Sequence, residues 1–494
     1  MGIVGAYEET GVTEARDFRE RRWLALGLLC VAQFVVVLDA SIVNVALPSI
    51  GKALSFSQEN LSWVVNAYVL TFGGFLLLGG RLADLLGRRR VFISGLVLFA
   101  LASLVGGFAE SEGMLIGARA VQGLGAAILS PAALSIVTTT FRDGAERNKA
   151  LGVWGAVAGS GGAAGVLLGG VLTDGLGWEW VLWVNVPIGI AAAAIAPTLV
   201  AESRSEAATR SFDVAGAFSV TAGLSVLVYA LVDATDAGWG STQTIGLLAL
   251  AVVLLAAFVA IELRSEAPLV PFRIFRLRTL TGANIVGILI GASLFSMFFF
   301  ISLYMQQVLG YSAIKAGLSY LPLALTIILT AGVASQLVTR VGFKPVLAAG
   351  MLFIAAGLVW FGQVSVGGGY VSDILGPSLL AAIGLGLAFV TSTIAAVSGV
   401  DAEEAGLASG LINTSQQVGG ALGLAVLATV ATSTTNDTAG PPANALTEGF
   451  QNAFLAGAGI AALGFVLTLV LIRGSDSRAH VALGGGEAAE PTAP

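Results

Sequence analysis

Gly80-Arg-Leu-Ala-Asp-Leu-Leu-Gly-Arg-Arg-Arg90 stands between two apolar runs, each long enough to cross a lipid bilayer. Four arginines in so short a loop mark it as cytoplasmic, since basic loops stay on that side of a membrane. That role requires neither the acid nor the two glycines. Working outward, runs of about 20 apolar residues, the length that spans roughly 30 Å of hydrocarbon, recur along the chain. Fourteen are read, at 24–48, 61–80, 91–108, 113–140, 150–172, 181–200, 213–232, 243–263, 279–307, 316–338, 345–362, 372–397, 405–432 and 451–472.

Composition points the same way. Of 494 residues, 56% are hydrophobic and only 11% charged, with a mean hydropathy of +0.89, too little charge to cover a soluble protein. The 65 glycines suit close helix packing in lipid. Net charge, at -6, says little, because topology depends on where the basic residues sit. With the N-terminus inside, 21 of the 24 lysines and arginines fall in inside segments, Lys52 and Lys315 fall outside, and Arg119 lies within a span. Dropping one span would scramble that alternation, so the asymmetry supports the count, the orientation and two cytoplasmic termini. Trp23, Trp63, Trp178, Trp180, Trp239 and Trp360 fall near span ends, as an aromatic belt requires. Cys30, the single cysteine, permits no intrachain disulfide. Met1–Arg22 carries no cleavable signal pattern, which leaves the first span as the insertion signal.

Val338-Thr-Arg-Val-Gly-Phe-Lys-Pro345 reads as a decayed copy of the opening stretch. The copies follow spans two and ten, which places them at equivalent positions of two six-helix units. The expected fold is therefore an all-α integral membrane protein of two six-helix bundles and an inserted helix pair. Its parts are an N-terminal tail (1–23), a first bundle (24–200), linkers with two extra helices (201–278), a second bundle (279–472) and a disordered tail (473–494).

Four stretches, in order and on the expected helices, make the chain resemble the fourteen-span drug:proton antiporters of the major facilitator superfamily, from about residue 24 to 472. They are the loop set Gly80, Leu82, Asp84, Gly87, Arg88 and Arg89; Leu38-Asp-Ala-Ser-Ile-Val-Asn-Val-Ala-Leu-Pro48; Arg119-Ala-Val-Gln-Gly-Leu-Gly125; and glycine-rich helix five, running into Trp178-Glu-Trp-Val-Leu-Trp-Val-Asn-Val-Pro-Ile-Gly189. Two departures stand out: Gly165-Val166 where the family has Gly-Pro, and Glu179 where it has a basic residue. The resemblance implies a secondary active transporter that exports hydrophobic or amphipathic small molecules in exchange for protons by alternating access. Its partners would be substrate, protons and lipid, with no nucleic acid and no enzyme chemistry, in a monomer of the bacterial cytoplasmic membrane. A metabolite transporter on the same fold is the alternative; a non-transporting sensor would need a soluble domain that the sequence lacks.

The residues add detail to that expectation. Gly80 and Gly87 are suited to tight turns at helix ends. Asp84 is suited to accept hydrogen bonds from a facing helix N-terminus, where the dipole favours an anion. By resemblance, Gly80, Asp84, Gly87, Arg88 and Arg89 form a conformational gate that holds the two halves together on the inner side. Asp39 lies 16 residues beyond Trp23, roughly 24 Å along a helix. Arg119, the only buried base expected, lies roughly 9 Å below the outer surface, so the two sit at similar depth. An ionisable pair there is costly and points to proton coupling, with a static ion pair as the structural alternative. Gly155 and Gly159, then Gly161, Gly165 and Gly169, recur every fourth residue and permit close approach of helix five to a neighbour, the expected neighbour being the other half. Val166 in place of proline predicts a straighter helix five. Gln33, Asn44, Gln122, Tyr304 and Gln307 are the expected cavity residues; the run Phe295–Phe300 cannot all face one side.

Absent motifs exclude other chemistry. A Walker-type phosphate loop is missing, which removes ATP as the fuel, and the sole histidine, His480, falls in the tail, leaving metal and cofactor sites without ligands. The last six spans hold no acid well inside the membrane, which favours neutral or singly charged substrates. Twenty arginines against four lysines point to a GC-rich bacterial genome, and so to self-protection against an antibiotic. In a Cys30-free background, cysteines at Ser241 and Thr435 are expected to react with an impermeant thiol label in intact cells, and cysteines at Ser205 and Ser477 to stay silent. Labelling of the Ser477 position from outside would overturn the fourteen-span topology.

Overall fold

A computed structural model describes residues 4–56, 61, 63–141, 144–204, 213–265, 268–401 and 404–486. Among these, thirteen helices are long and apolar enough to span a membrane, and a bent fourteenth completes the expected set. In order, α1 is Arg21–Ala53, α2 Trp63–Leu86, α3 Arg88–Gly107, α4 Glu112–Thr140, α5 Ala145–Gly175, α6 Trp180–Leu199 and α7 Val214–Ala237. Then come α8 Thr242–Glu262, α9 Arg278–Val308, α10 Ile314–Val341, α11 Phe343–Phe361, α12 Tyr370–Val397, α13 Ala405–Asp437 and α14 Pro442–Leu471. A short helix, α15 (Gly474–Gly486), follows.

Packing within α1–α6 recurs eight helices later. The neighbours α1–α5, α2–α4, α3–α4, α3–α6 and α1–α6 reappear as α9–α13, α10–α12, α11–α12, α11–α14 and α9–α14. Such repetition is the structural counterpart of the duplicated loop motif. Both copies keep a left-handed glycine at the helix break, Gly87 at φ 106° and Gly342 at φ 84°, a conformation that side chains with a Cβ resist. The halves meet along two seams, α2 against α13 and α5 against α10. The inserted pair α7–α8 packs as a hairpin, and α7 covers the first seam by lying against both α2 and α13. Gly73 and Gly74 of α2 make room there for Val228 and Ser225.

Four expectations need correction. Gly80 does not form a turn; it lies inside α2, where an added Cβ would come within 2.7 Å of the Gly406 carbonyl oxygen, so its role is close approach. Helix α5 is not straighter for lacking proline: its axis turns by 41° between Ala145–Gly162 and Ala164–Gly175, after the run Ser160-Gly161-Gly162, where side chains are too small to brace the helix. The segment expected to be disordered begins with α15, which packs on α10 and α11; residues 487–494 lie outside the described residues. Ser477 in α15 is buried and accepts from the Lys344 backbone N–H at 3.1 Å. Exposed Ser475 is therefore the usable reporter of that end of the chain, while Ser205 lies outside the described residues.

Gly161, Gly165 and Gly169 face α1, not the other half. A Cβ at Gly161 would meet Val37 at 2.8 Å, one at Gly165 the Leu38 carbonyl at 2.8 Å, and one at Gly169 the Ile42 carbonyl at 2.8 Å. Gly155 alone of the set faces the second half, against Val390 of α12; the surroundings of Gly159 fall outside the described residues. Gly165→Leu should therefore lower the melting temperature in detergent, since overpacking of this kind costs about 1–3 kcal/mol. Gly27→Leu, where an added Cβ meets nothing within 4 Å, should not. Equal melting temperatures for the two variants would contradict the α1–α5 approach.

Candidate functional site

Five helices of the first half converge on one carboxylate. Asp39 of α1 is fully buried, as are Arg119 and Gln122 of α4, Ser103 of α3 and Asn185 at the start of α6. Arg119 and Gln122 are three residues apart, hence on one face of α4. Arg119 Nη1 donates to Asp39 Oδ2 at 2.5 Å and to Gln122 Oε1 at 2.6 Å, and its Nε donates to the Val64 carbonyl of α2 at 3.0 Å. Asp39 Oδ1 accepts from Gln122 Nε2 and from Asn185 Nδ2, each at 2.7 Å. Gln122 Nε2 also reaches Ser103 Oγ at 2.6 Å, and the guanidinium lies 4.4 Å from the Tyr68 ring centroid. All three partners of Asp39 act as donors, the arrangement an ionised carboxylate requires.

The pairing of Asp39 with Arg119 meets the expectation from their matched depth. Gln122, expected in the cavity, belongs to this cluster instead. Asn185, Ser103 and Tyr68 were not anticipated. Asn185 had a signal, being a lone amide in an apolar span within a motif already singled out; Ser103 and Tyr68 had none, since a serine or tyrosine in a span is ordinary. Two polar atoms in the cluster, Arg119 Nη2 and Asn185 Oδ1, lack hydrogen-bond partners. Such groups are costly in a dry interior, so the network has unspent bonding capacity beside the carboxylate.

The other expected cavity residues are not brought together. Gln33 is buried within the first half and accepts from Ser130 Oγ at 2.9 Å. Tyr304 is fully buried and donates to the Ser365 carbonyl at 2.6 Å and Asp373 Oδ2 at 2.9 Å, fastening the turn before α12. Asn44 and Gln307 are exposed. Phe300 is buried against Phe450 and Phe454, while Phe295 and Phe299 face outward, as consecutive aromatics on a helix must divide.

At the basic end, Asp84 is fully buried where α2 meets α13. Its carboxylate accepts from the backbone N–H groups of Gly406 at 3.2 Å and Leu407 at 3.1 Å, in the first turn of α13, and from Arg88 Nη2 at 2.9 Å. A helix N-terminus leaves its first N–H groups unpaired, so the acid and the helix satisfy each other. Arg88 is itself buried, which adds a second buried base to Arg119. The segment after α6 closes the loop from outside: the Arg88 N–H donates to the Ser203 carbonyl at 2.9 Å, the Arg89 N–H to Glu202 Oε1 at 3.1 Å, and Arg89 Nη1 to the Val200 carbonyl at 3.2 Å. Arg90, at 76% exposure, is the member of the set held only loosely.

The family model described as Major Facilitator Superfamily matches residues 29–424. The cephamycin export protein CmcT of Amycolatopsis lactamdurans is 45% identical over 434 residues, covering 87% of this chain and 88% of its own length. The puromycin resistance protein pur8 of Streptomyces alboniger is 39% identical over 472 residues, covering 94% and 93%. Among solved structures, the human organic anion transporter MFSD10 shares the fold with a TM-score of 0.65 at 16% identity, over 91% of this chain and 99% of that one.

Asp84→Asn keeps the side chain's size but removes the charge that strengthens its bonds to α13. Bonds to a charged group contribute about 1.5–3 kcal/mol, so closure of the basic end should weaken by roughly tenfold or more. Asn148 Nδ2 lies 2.9 Å from Thr339 Oγ1 across the other seam, so an Asn148→Cys/Thr339→Cys pair should cross-link only when that end is closed. The cross-linking yield should fall in the Asp84→Asn background; an unchanged yield would reduce Asp84 to a local structural role.

Proposed function

The chain belongs to the major facilitator superfamily, and on that premise we propose that it exports amphipathic small molecules of antibiotic size in exchange for protons, by alternating access. It is a multi-pass protein of the bacterial plasma membrane with antibiotic export and resistance proteins among its relatives. The export direction and the substrate class are carried over from those relatives, and the proton coupling rests on Asp39. Among the described residues, Asp39 is the one fully buried carboxylate far from any helix end. An acid in that position is expensive, and an ion pair placed there solely for stability would gain little over well-packed apolar side chains.

The chemistry proceeds from the cluster. A proton arriving at Asp39 converts an acceptor of three bonds into a group that needs fewer, and frees Arg119 and Asn185 to re-pair. Their unused donor and acceptor atoms give them somewhere to go. Movement of α1 is passed to α5, because the Leu38 and Ile42 carbonyls on either side of Asp39 lie directly against Gly165 and Gly169. Helix α5 also lies on α10 and α12, so the shift reaches the second bundle. The basic end, taken as cytoplasmic, is closed by Asp84 in this arrangement, which is the outward-facing side of the cycle. One proton crossing 100 mV supplies about 2.3 kcal/mol, enough for roughly a fiftyfold substrate gradient.

Reconstituted in proteoliposomes, Asp39→Asn should abolish transport driven by a pH gradient while sparing downhill substrate exchange, because the amide keeps the size and bonding of the acid but cannot titrate. Uphill transport by Asp39→Asn/Arg119→Gln would show the pair to be structural and would end the proton-carrier assignment.

A further inference from the structure

The two seams between the halves correspond through the repeat but are built differently. Gly80 and Asp84 of α2 face Gly406 and Leu407 of α13; at the matching positions of α10, Ser335 and Thr339 face Gly152 and Asn148 of α5. The first seam is tied by a carboxylate and covered by α7. The second has a hydroxyl where the carboxylate would be and is not overlaid by an inserted pair. Beside it a groove of about 670 Å³ runs between α5 and α10. Its floor includes Gly152, Ala156, Ile328 and Gly332, and its basic-end rim carries Lys149 and Arg340, with no acid in the lining.

Both cations are exposed and lack an ion-pair partner among the described residues, Lys149 resting over the Trp23 ring at 4.9 Å. The nearby acid Glu146 is engaged by Arg22 at 3.2 Å. Ile328 and Arg340 are twelve residues apart on α10, so the groove extends about 18 Å from the charged rim, past Ser335, Gln336 and Thr339 to an apolar far end at Gly332 and Ile328. A groove with a polar, doubly cationic rim and an apolar far end has the chemistry of one ligand class.

We propose that this groove binds a single anionic phospholipid, its phosphate between Lys149 and Arg340 and one acyl chain laid over Gly332 toward Ile328. Because α5 belongs to the first half and α10 to the second, the lipid bridges both while the basic end is closed, standing in for the acid missing at Thr339. Clusters of basic residues beside a membrane attract anionic lipid at about fivefold in affinity per charge.

The test uses purified full-length protein and native mass spectrometry with phosphatidylglycerol and phosphatidylcholine supplied in equal amounts. The wild-type protein should retain phosphatidylglycerol preferentially. Lys149→Gln/Arg340→Gln should lower that preference roughly thirtyfold. Gly332→Phe should remove retention of both lipids with the rim charges intact, since a Cβ at Gly332 meets nothing within 4 Å and the ring would fill the groove without displacing the fold. Equal retention of the two lipids by the wild-type protein would overturn the proposal, as would undiminished phosphatidylglycerol in either variant. Displacement of phosphatidylglycerol by inorganic phosphate alone would also overturn it, by assigning the rim to a free anion.

Discussion

A carboxylate inside a membrane protein must be supplied with hydrogen bonds by the protein, because lipid supplies none. Asp39 takes three, from Arg119, Gln122 and Asn185, and that demand fixes the relative positions of α1, α4 and α6. Ser103 and the Val64 carbonyl then hold the donors, drawing in α3 and α2. Five helices of one bundle are thus registered against a single acid.

The glycines of α5 bring that helix against the α1 that carries Asp39. At Gly161, Gly165 and Gly169 the α5 backbone lies directly against Val37, Ser41 and the Leu38 and Ile42 carbonyls of α1, the close approach that small residues permit. The same helix presents Gly152 and Gly155 to Ser335 and Val390 of the second half. It therefore lies between the helix of the acid and the second half. On either side of the bend at Ser160-Gly161-Gly162 the helix touches α10, through Gly152 against Ser335 before it and Gly170 against Ile314 after it.

Duplication left two equivalent seams, and the chain then treated them unequally. Asp84 neutralises the N-terminus of α13 and the inserted helices cover that side. Thr339 offers only a hydroxyl to Asn148, which also contacts His480 of α15 at 3.0 Å. The second seam is held by neutral bonds and a C-terminal helix, with a groove beside it. Charge-assisted bonds are roughly twice as strong as neutral ones, so α2–α13 is the firmer of the two closures.

Sequence alone determined the fourteen spans, the repeat and the pairing of Asp39 with Arg119. Each follows from a property counted along one dimension: the length of an apolar run, the spacing of a motif, and depth at a fixed rise per residue. Asp84 at a helix N-terminus was likewise legible, because an acid that orientation does not require must satisfy something else. What needed the tertiary structure was which faces meet. Four-residue glycine spacing defines a stripe but not its partner, so only packing decided that Gly165 serves α1 and Gly155 serves α12. Gln33, Gln122 and Tyr304 look like cavity residues in a linear reading, yet each is consumed by a neighbour contributed from a distant part of the chain. A polar side chain in a span must find a partner somewhere, and the sequence states that requirement without stating where the partner is.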